Sequence, residues 1–138
     1  MKINLTYLLA AENLRKVATK INVNISEELK KFDFNFDQAV MIYELNIQEH
    51  ITQTLLSKRV NLPKHTISRN LDFLENKLFV KRITDPSSRR SFQLELTEKG
   101  REIAPKLNSI IENVYFEILS PLDKSERVTL INLLSKIQ

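Results

Sequence analysis

The chain has 138 residues, 42% hydrophobic and 28% charged, with a net charge of +4, enough for one domain with a buried core and a solvated surface. It holds no cysteine, two histidines (His50 and His65) and one glycine, Gly100, which excludes disulfides, thiol chemistry, Cys-ligated zinc and any phosphate-cradling loop built on several glycines. No apolar run nears the ~18 residues of a membrane span, and the N-terminus lacks the order of a secretory signal, so a cytoplasmic protein without membrane contact is expected.

The positive charge is concentrated. Between Ile51 and Phe92 there are nine basic and three acidic residues, a balance of +6, while the remainder carries −2. A basic middle between mildly acidic ends suggests a polyanion-binding module held by two framework segments; a solvated basic face is the alternative on charge alone.

Residues 3–21 read as a helix, with Ile3, Tyr7, Ala11, Leu14, Ala18 and Ile21 at three- and four-residue steps. Leu5, Leu8 and Leu9 widen its apolar arc, as expected of a helix packed against two partners. Phe32, Phe34 and Phe36 then lead in extended conformation to a helix capped by Asn35, with Gln38 completing a capping box and Ala39, Ile42 and Leu45 inward. A third helix starts at Thr52 or Gln53 and ends at Val60, with Asn61 as a left-handed cap. Pro63 suits the first position of a fourth helix reaching about Lys77, with Ile67, Leu71, Leu74 and Leu78 on one face. Two short helices joined this closely form a helix-turn-helix, with Ser57 as the small residue at the crossing.

After Lys77 the period falls from 3.6 to 2. Residues 79–83 and 91–96 read as strands around a basic loop over 84–90, the hairpin of a winged helix. Thr97 caps a long helix through about Leu119, bent at Pro105. Pro121 breaks the chain, and a last helix from Asp123 or Ser125 carries Val128, Ile131, Leu134 and Ile137 on one side. The fold class is therefore mainly α with a small β-hairpin wing.

With Ile67 at the centre of the buried face, His65, Arg69, Asp72, Phe73 and Asn76 of the fourth helix point outward, and Thr66 and Ser68 flank them. Short hydroxyls and long donors near a helix N-terminus are what major-groove reading needs. Arg69 is the candidate for bidentate pairing with guanine, unless Asp72 or Glu75 captures it in a surface salt bridge. Lys64 and Thr66 suit phosphate, and His65 and Ser68 suit polar contacts. Arg89 and Arg90, read as the hairpin tip, suit an A·T-rich minor groove. Neither histidine has a second one at ligand spacing, so no metal site and no cofactor are expected. An enzyme is not expected either, for want of any recognisable catalytic constellation.

Leu56-Ser57-Lys58-Arg59-Val60-Asn61-Leu62 followed by Thr66-Ile67-Ser68-Arg69-Asn70-Leu71-Asp72-Phe73-Leu74-Glu75-Asn76-Lys77 resembles the helix-turn-helix of MarR-type regulators. Phe79-Val80-Lys81-Arg82 with Asp85-Pro86-Ser87-Ser88-Arg89-Arg90-Ser91 is similar to their wing, and Leu94-x-Leu96-Thr97-Glu98-Lys99-Gly100-Arg101 to the start of their next helix. The resemblance implies a homodimer with a winged DNA-binding lobe at 34–97 and dimerisation helices at 1–33 and 98–138. It implies a repressor of pseudo-palindromic operators on double-stranded DNA, associated with the nucleoid, and in many members released by a small aromatic or anionic effector. Lys64, His65, Thr66, Ser68, Arg69, Arg82, Arg89 and Arg90 are then the DNA-binding set.

Three departures qualify it. Ser88 stands where an aspartate usually pairs with the arginine at Arg90, so either the wing is less fixed or Asp85 substitutes. Leu78 replaces a common glycine and Phe73 a common basic residue. They are the only support for a second reading, a winged helix for protein contact with weak or lost DNA binding, against which the central +6 argues.

Overall fold

The apolar period of the first helix fades at Ile21, yet α1 runs from Leu5 to Leu29 in the computed structural model, which describes residues 4–138 and only the backbone of Arg89. Asn22 and Asn24 do not stop it, because Ile25 and Leu29 one and two turns later bury completely and hold the helix in place. Ile3 lies outside the described residues. From Leu5 to Lys20 the helix buries nothing within the chain, and Leu5, Tyr7, Leu9 and Leu14 face solvent.

A 3₁₀ turn (Lys30–Phe32) ends in the left-handed Asp33, which redirects the chain so that Phe34 enters the core beside Phe79, ring centroids 5.0 Å apart. The expected extended run of three phenylalanines is thereby corrected: Phe32 is in the turn, and Phe36 already opens α2 (Phe36–Ile47). The Asn35–Gln38 capping box forms as read from sequence.

His50 and the short strand β1 (Ile51–Thr52) lead into α3 (Gln53–Val60), which Thr52 caps. Asn61 takes the left-handed conformation, and the Ser57 hydroxyl donates to the Leu62 carbonyl across the turn at 2.9 Å. The next helix, α4 (Lys64–Asn76), has Pro63 as its N-cap rather than its first residue. Ile67, Leu71 and Leu74 bury fully, together with Met41, Ile42, Leu45 and Leu56.

The wing is longer and tighter than its alternation suggests. Strands β2 (Val80–Asp85) and β3 (Ser88–Leu96) leave only Pro86 and Ser87 at the tip. Asp85 closes this turn by accepting from the Ser87 amide at 2.9 Å, its hydroxyl at 2.7 Å and the Ser91 hydroxyl at 3.2 Å. Arg89 and Arg90 consequently lie on β3, not at the tip. β3 is the central strand, with β1 on its other edge; a two-residue strand has no period to read in sequence.

Thr97 caps α5 (Glu98–Leu119), which continues through Pro105. Its first turn sits so closely against the wing root that a Cβ on Gly100 would collide with the Phe79 carbonyl oxygen. The last helix, α6 (Lys124–Lys136), starts from an Asp123–Glu126 capping box and buries no residue. No described helix is long and apolar enough to cross a membrane.

Leu78 corrects an expectation. It does not continue the buried face of α4 but follows its end, at φ 65° and 67% exposed. The Phe79 amide bonds back to the Leu74 carbonyl at 2.9 Å, so the α4 terminus demands a left-handed residue here, which leucine adopts at a cost. Leu78→Gly is expected to stabilise the fold by about 0.5–1 kcal/mol, the relieved strain less the unfolded-state entropy that glycine adds. A raised urea midpoint at unchanged slope is the readout, and a lowered one contradicts it.

Candidate nucleic-acid interface

Pro63 has no side chain with which to cap α4, so the first amides of that helix are left to solvent at the helix's positive end. Lys64, His65 and Arg69 are exposed, and Thr66 and Ser68 are half-buried beside them. This places the five residues expected on the helix on one accessible face and its flanks. The Ser68 hydroxyl accepts from the Gln53 side-chain amide at 2.8 Å, so the start of α3 fixes a side chain of α4.

Beneath that face lies a buried polar junction. Asn70 donates to the Thr66 carbonyl at 3.0 Å, and its own oxygen accepts from Gln38 at 3.3 Å and from Asn35 at 3.5 Å. The capping box of α2 thus also anchors the middle of α4. Asn70 and Gln53 were not among the expected site residues. Asn70 carried a signal, since it lies three residues after Ile67 and four before Leu74, on the inward face; Gln53 carried none beyond its place at a helix start.

Arg82 is placed differently from the other cations. Its guanidinium donates to Asp72 at 3.0 Å and lies 3.3 Å from Glu75, with its side chain only 18% exposed. These are the two acids that could have captured Arg69. Among the described residues Arg69 makes no ion pair, and its guanidinium is available. Phe73, half-buried, packs against the core edge with the Lys77 ammonium 5.9 Å above its ring. This is the packing contact that explains a phenylalanine on an otherwise polar face.

On the wing, Arg90 is exposed and lies where the pairing of β3 shifts from Thr84–Phe92 to Asp85–Ser88. Ser88 accepts from the Arg90 amide at 3.3 Å. Asp85, held below its ordinary carboxyl pKa first by the Ser87 hydroxyl and then by the Ser87 amide, organises the tip through Ser87 and Ser91. A cleft of about 300 Å³ between α1 and α5 has Asn24, Glu27, Glu28, Asn113 and Glu117 among its walls.

Residues 38–117, more than half of the chain, match the HxlR-like helix-turn-helix family. The transcriptional regulator SarZ of Staphylococcus haemolyticus is 30% identical over 109 residues, covering 79% of this chain and 73% of SarZ. A mutant of Escherichia coli MarR complexed with operator DNA superposes with a TM-score of 0.85 over 99% of both chains, at 22% identity. The chain belongs to the MarR family. Wild-type E. coli MarR in its apo form is similar at a TM-score of 0.75 and 25% identity, covering 99% of this chain and 98% of MarR. The expected winged-helix fold and regulator class are borne out, and the relatives are transcriptional regulators, not enzymes. This MarR-family chain is a DNA-binding regulator whose helix-turn-helix is α3–α4 and whose wing is β2–β3.

The Asn70 junction gives a prediction. Asn70→Ala leaves Gln38 without its buried partner and should cost about 1–3 kcal/mol of stability. Equilibrium unfolding in urea tests this, and a loss within ~0.5 kcal/mol would assign the junction no structural weight.

Proposed function

We propose that the protein is a homodimeric repressor that reads pseudo-palindromic operators with α4 in the major groove. The observation that carries this is the division of charge on α4: Arg82 engages both Asp72 and Glu75 and offsets one of their two charges, while Lys64, His65 and Arg69 stay outward. Arg69 pairs with guanine, and Lys64 and Thr66 hold phosphate at the uncapped helix N-terminus. His65 and Ser68 add polar contacts, and Arg89 and Arg90 enter the adjacent minor groove. Arg82 serves this face by positioning it.

Dimerisation through 1–33 and 98–138, with 34–97 as the DNA-binding lobe, is supported by the apolar side chains those helices leave uncovered. Leu5, Tyr7 and Leu9 of α1, Phe116 of α5 and Val128, Ile131 and Leu133 of α6 are exposed in the single chain. Such a surface in a soluble protein marks an association site. Two lobes related by a two-fold axis would meet half-sites about 10 bp apart. The site of action is the cytoplasm, at the nucleoid. If an effector enters the α1–α5 cleft, its glutamates favour a cationic molecule over the anionic one that the family resemblance implies.

Selection of genomic fragments by the purified protein should return a palindromic motif, and Arg69→Ala should then cost about 1–3 kcal/mol at one position of each half-site and relax preference there. Equal loss on every sequence would reduce Arg69 to a phosphate contact. Failure to enrich any fragment, at low or moderate salt, would favour the protein-contact reading.

A further inference from the structure

His50 and Glu49 close the turn after α2, and Glu95 lies on the central strand of the wing sheet, far away in sequence. The fold brings them together. One ligand atom from each of Glu49, His50 and Glu95 lies within 4.8 Å of the other two. His50 Nδ1 and a Glu95 carboxylate oxygen are 3.4 Å apart. Two ligands held about 2.0–2.1 Å from a zinc-type ion at the tetrahedral angle stand about 3.4 Å apart. The imidazole and carboxylate are therefore already at the edge length of such a site.

The backbone fixes this approach. The His50 amide donates to the Leu94 carbonyl at 2.9 Å, and the residue holds φ at 62°, so the ring is tied to the strand that carries Glu95. Glu95 and Glu49 are largely sheltered, with side chains 15% and 25% exposed, while His50 opens to solvent. The two carboxylates are paired with exposed cations: Lys81 reaches Glu95 at 2.8 Å, and Arg101 reaches Glu49 at 3.1 Å. Both cations are more than half exposed and can swing into water without leaving a buried charge.

We propose that Glu49, His50 and Glu95 bind a divalent transition-metal cation of the zinc class, with one imidazole and two carboxylates as ligands and water completing the shell. The donor set, nitrogen with two oxygens and no thiolate, suits zinc and its borderline neighbours over soft monovalent ions. Binding displaces Lys81 and Arg101 and bridges the α2–β1 turn to β3. Because β1 runs directly into α3, the ion braces the start of the helix-turn-helix against the wing. The site needs only this chain and is independent of the DNA-binding reading.

Zinc titration of the untagged full chain against a chromophoric chelator tests it. One ion should bind per chain. His50→Asn, which tolerates the left-handed backbone, and Glu95→Gln should each weaken binding at least about tenfold, since even partners one bond removed from an ion are worth about ten- to a hundredfold. Lys81→Gln, which removes a competing ammonium, should bind at least as tightly as the parent. Circular dichroism establishes that each variant is folded. No stoichiometric binding, affinity unchanged in folded His50→Asn, or weakened binding in Lys81→Gln would each overturn the proposal.

Discussion

Two carboxylates, Asp72 and Glu75, stand on the helix that has to approach a polyanion, and any part of their charge offset within the protein lowers the repulsion that face meets. Arg82 offsets one of the two charges from the neighbouring strand, with one guanidinium meeting both acids. The same contact links the wing root to α4. Arg69 is available as a consequence.

Around this contact the lobe is assembled from short-range constraints. Asn70 joins α4 to the capping box of α2, Gln53 joins α3 to α4, and Gly100 lets α5 touch the Phe79 carbonyl. Each replaces a flexible choice with a single geometry. The long helices differ: most of α1 and all of α6 bury nothing within the chain. Local polar bonds shape the lobe, while the framework helices leave apolar surface uncovered within the chain. That contrast is the physical content of the proposed division between a DNA-binding lobe and a dimer framework.

Much of this was legible in sequence. Caps at Asn35 and Thr97 fixed where two helices begin, Thr52 and Asp123 were each one of two candidate starts, and the left-handed Asn61 fixed the turn, because these signals act within a few residues. What escaped depends on partners distant in the chain. The extension of α1 rests on burial of Ile25 and Leu29, β1 exists only through pairing with β3, and the shortened wing tip depends on Asp85 meeting Ser91. Arg82 looked like any other cation of the basic segment until the fold set Asp72 and Glu75 beside it. His50 looked solitary for the same reason, with Glu95 forty-five residues away.

The most direct test of the claim that Arg82 acts through the acids of α4 is a mutant cycle on operator affinity. Arg82→Ala should weaken binding, and the same substitution in an Asp72→Ala, Glu75→Ala background should cost little further, since no exposed carboxylate remains to repel phosphate or capture Arg69. A cost of Arg82→Ala that is the same with and without the two acids would contradict the account and make Arg82 a direct DNA contact.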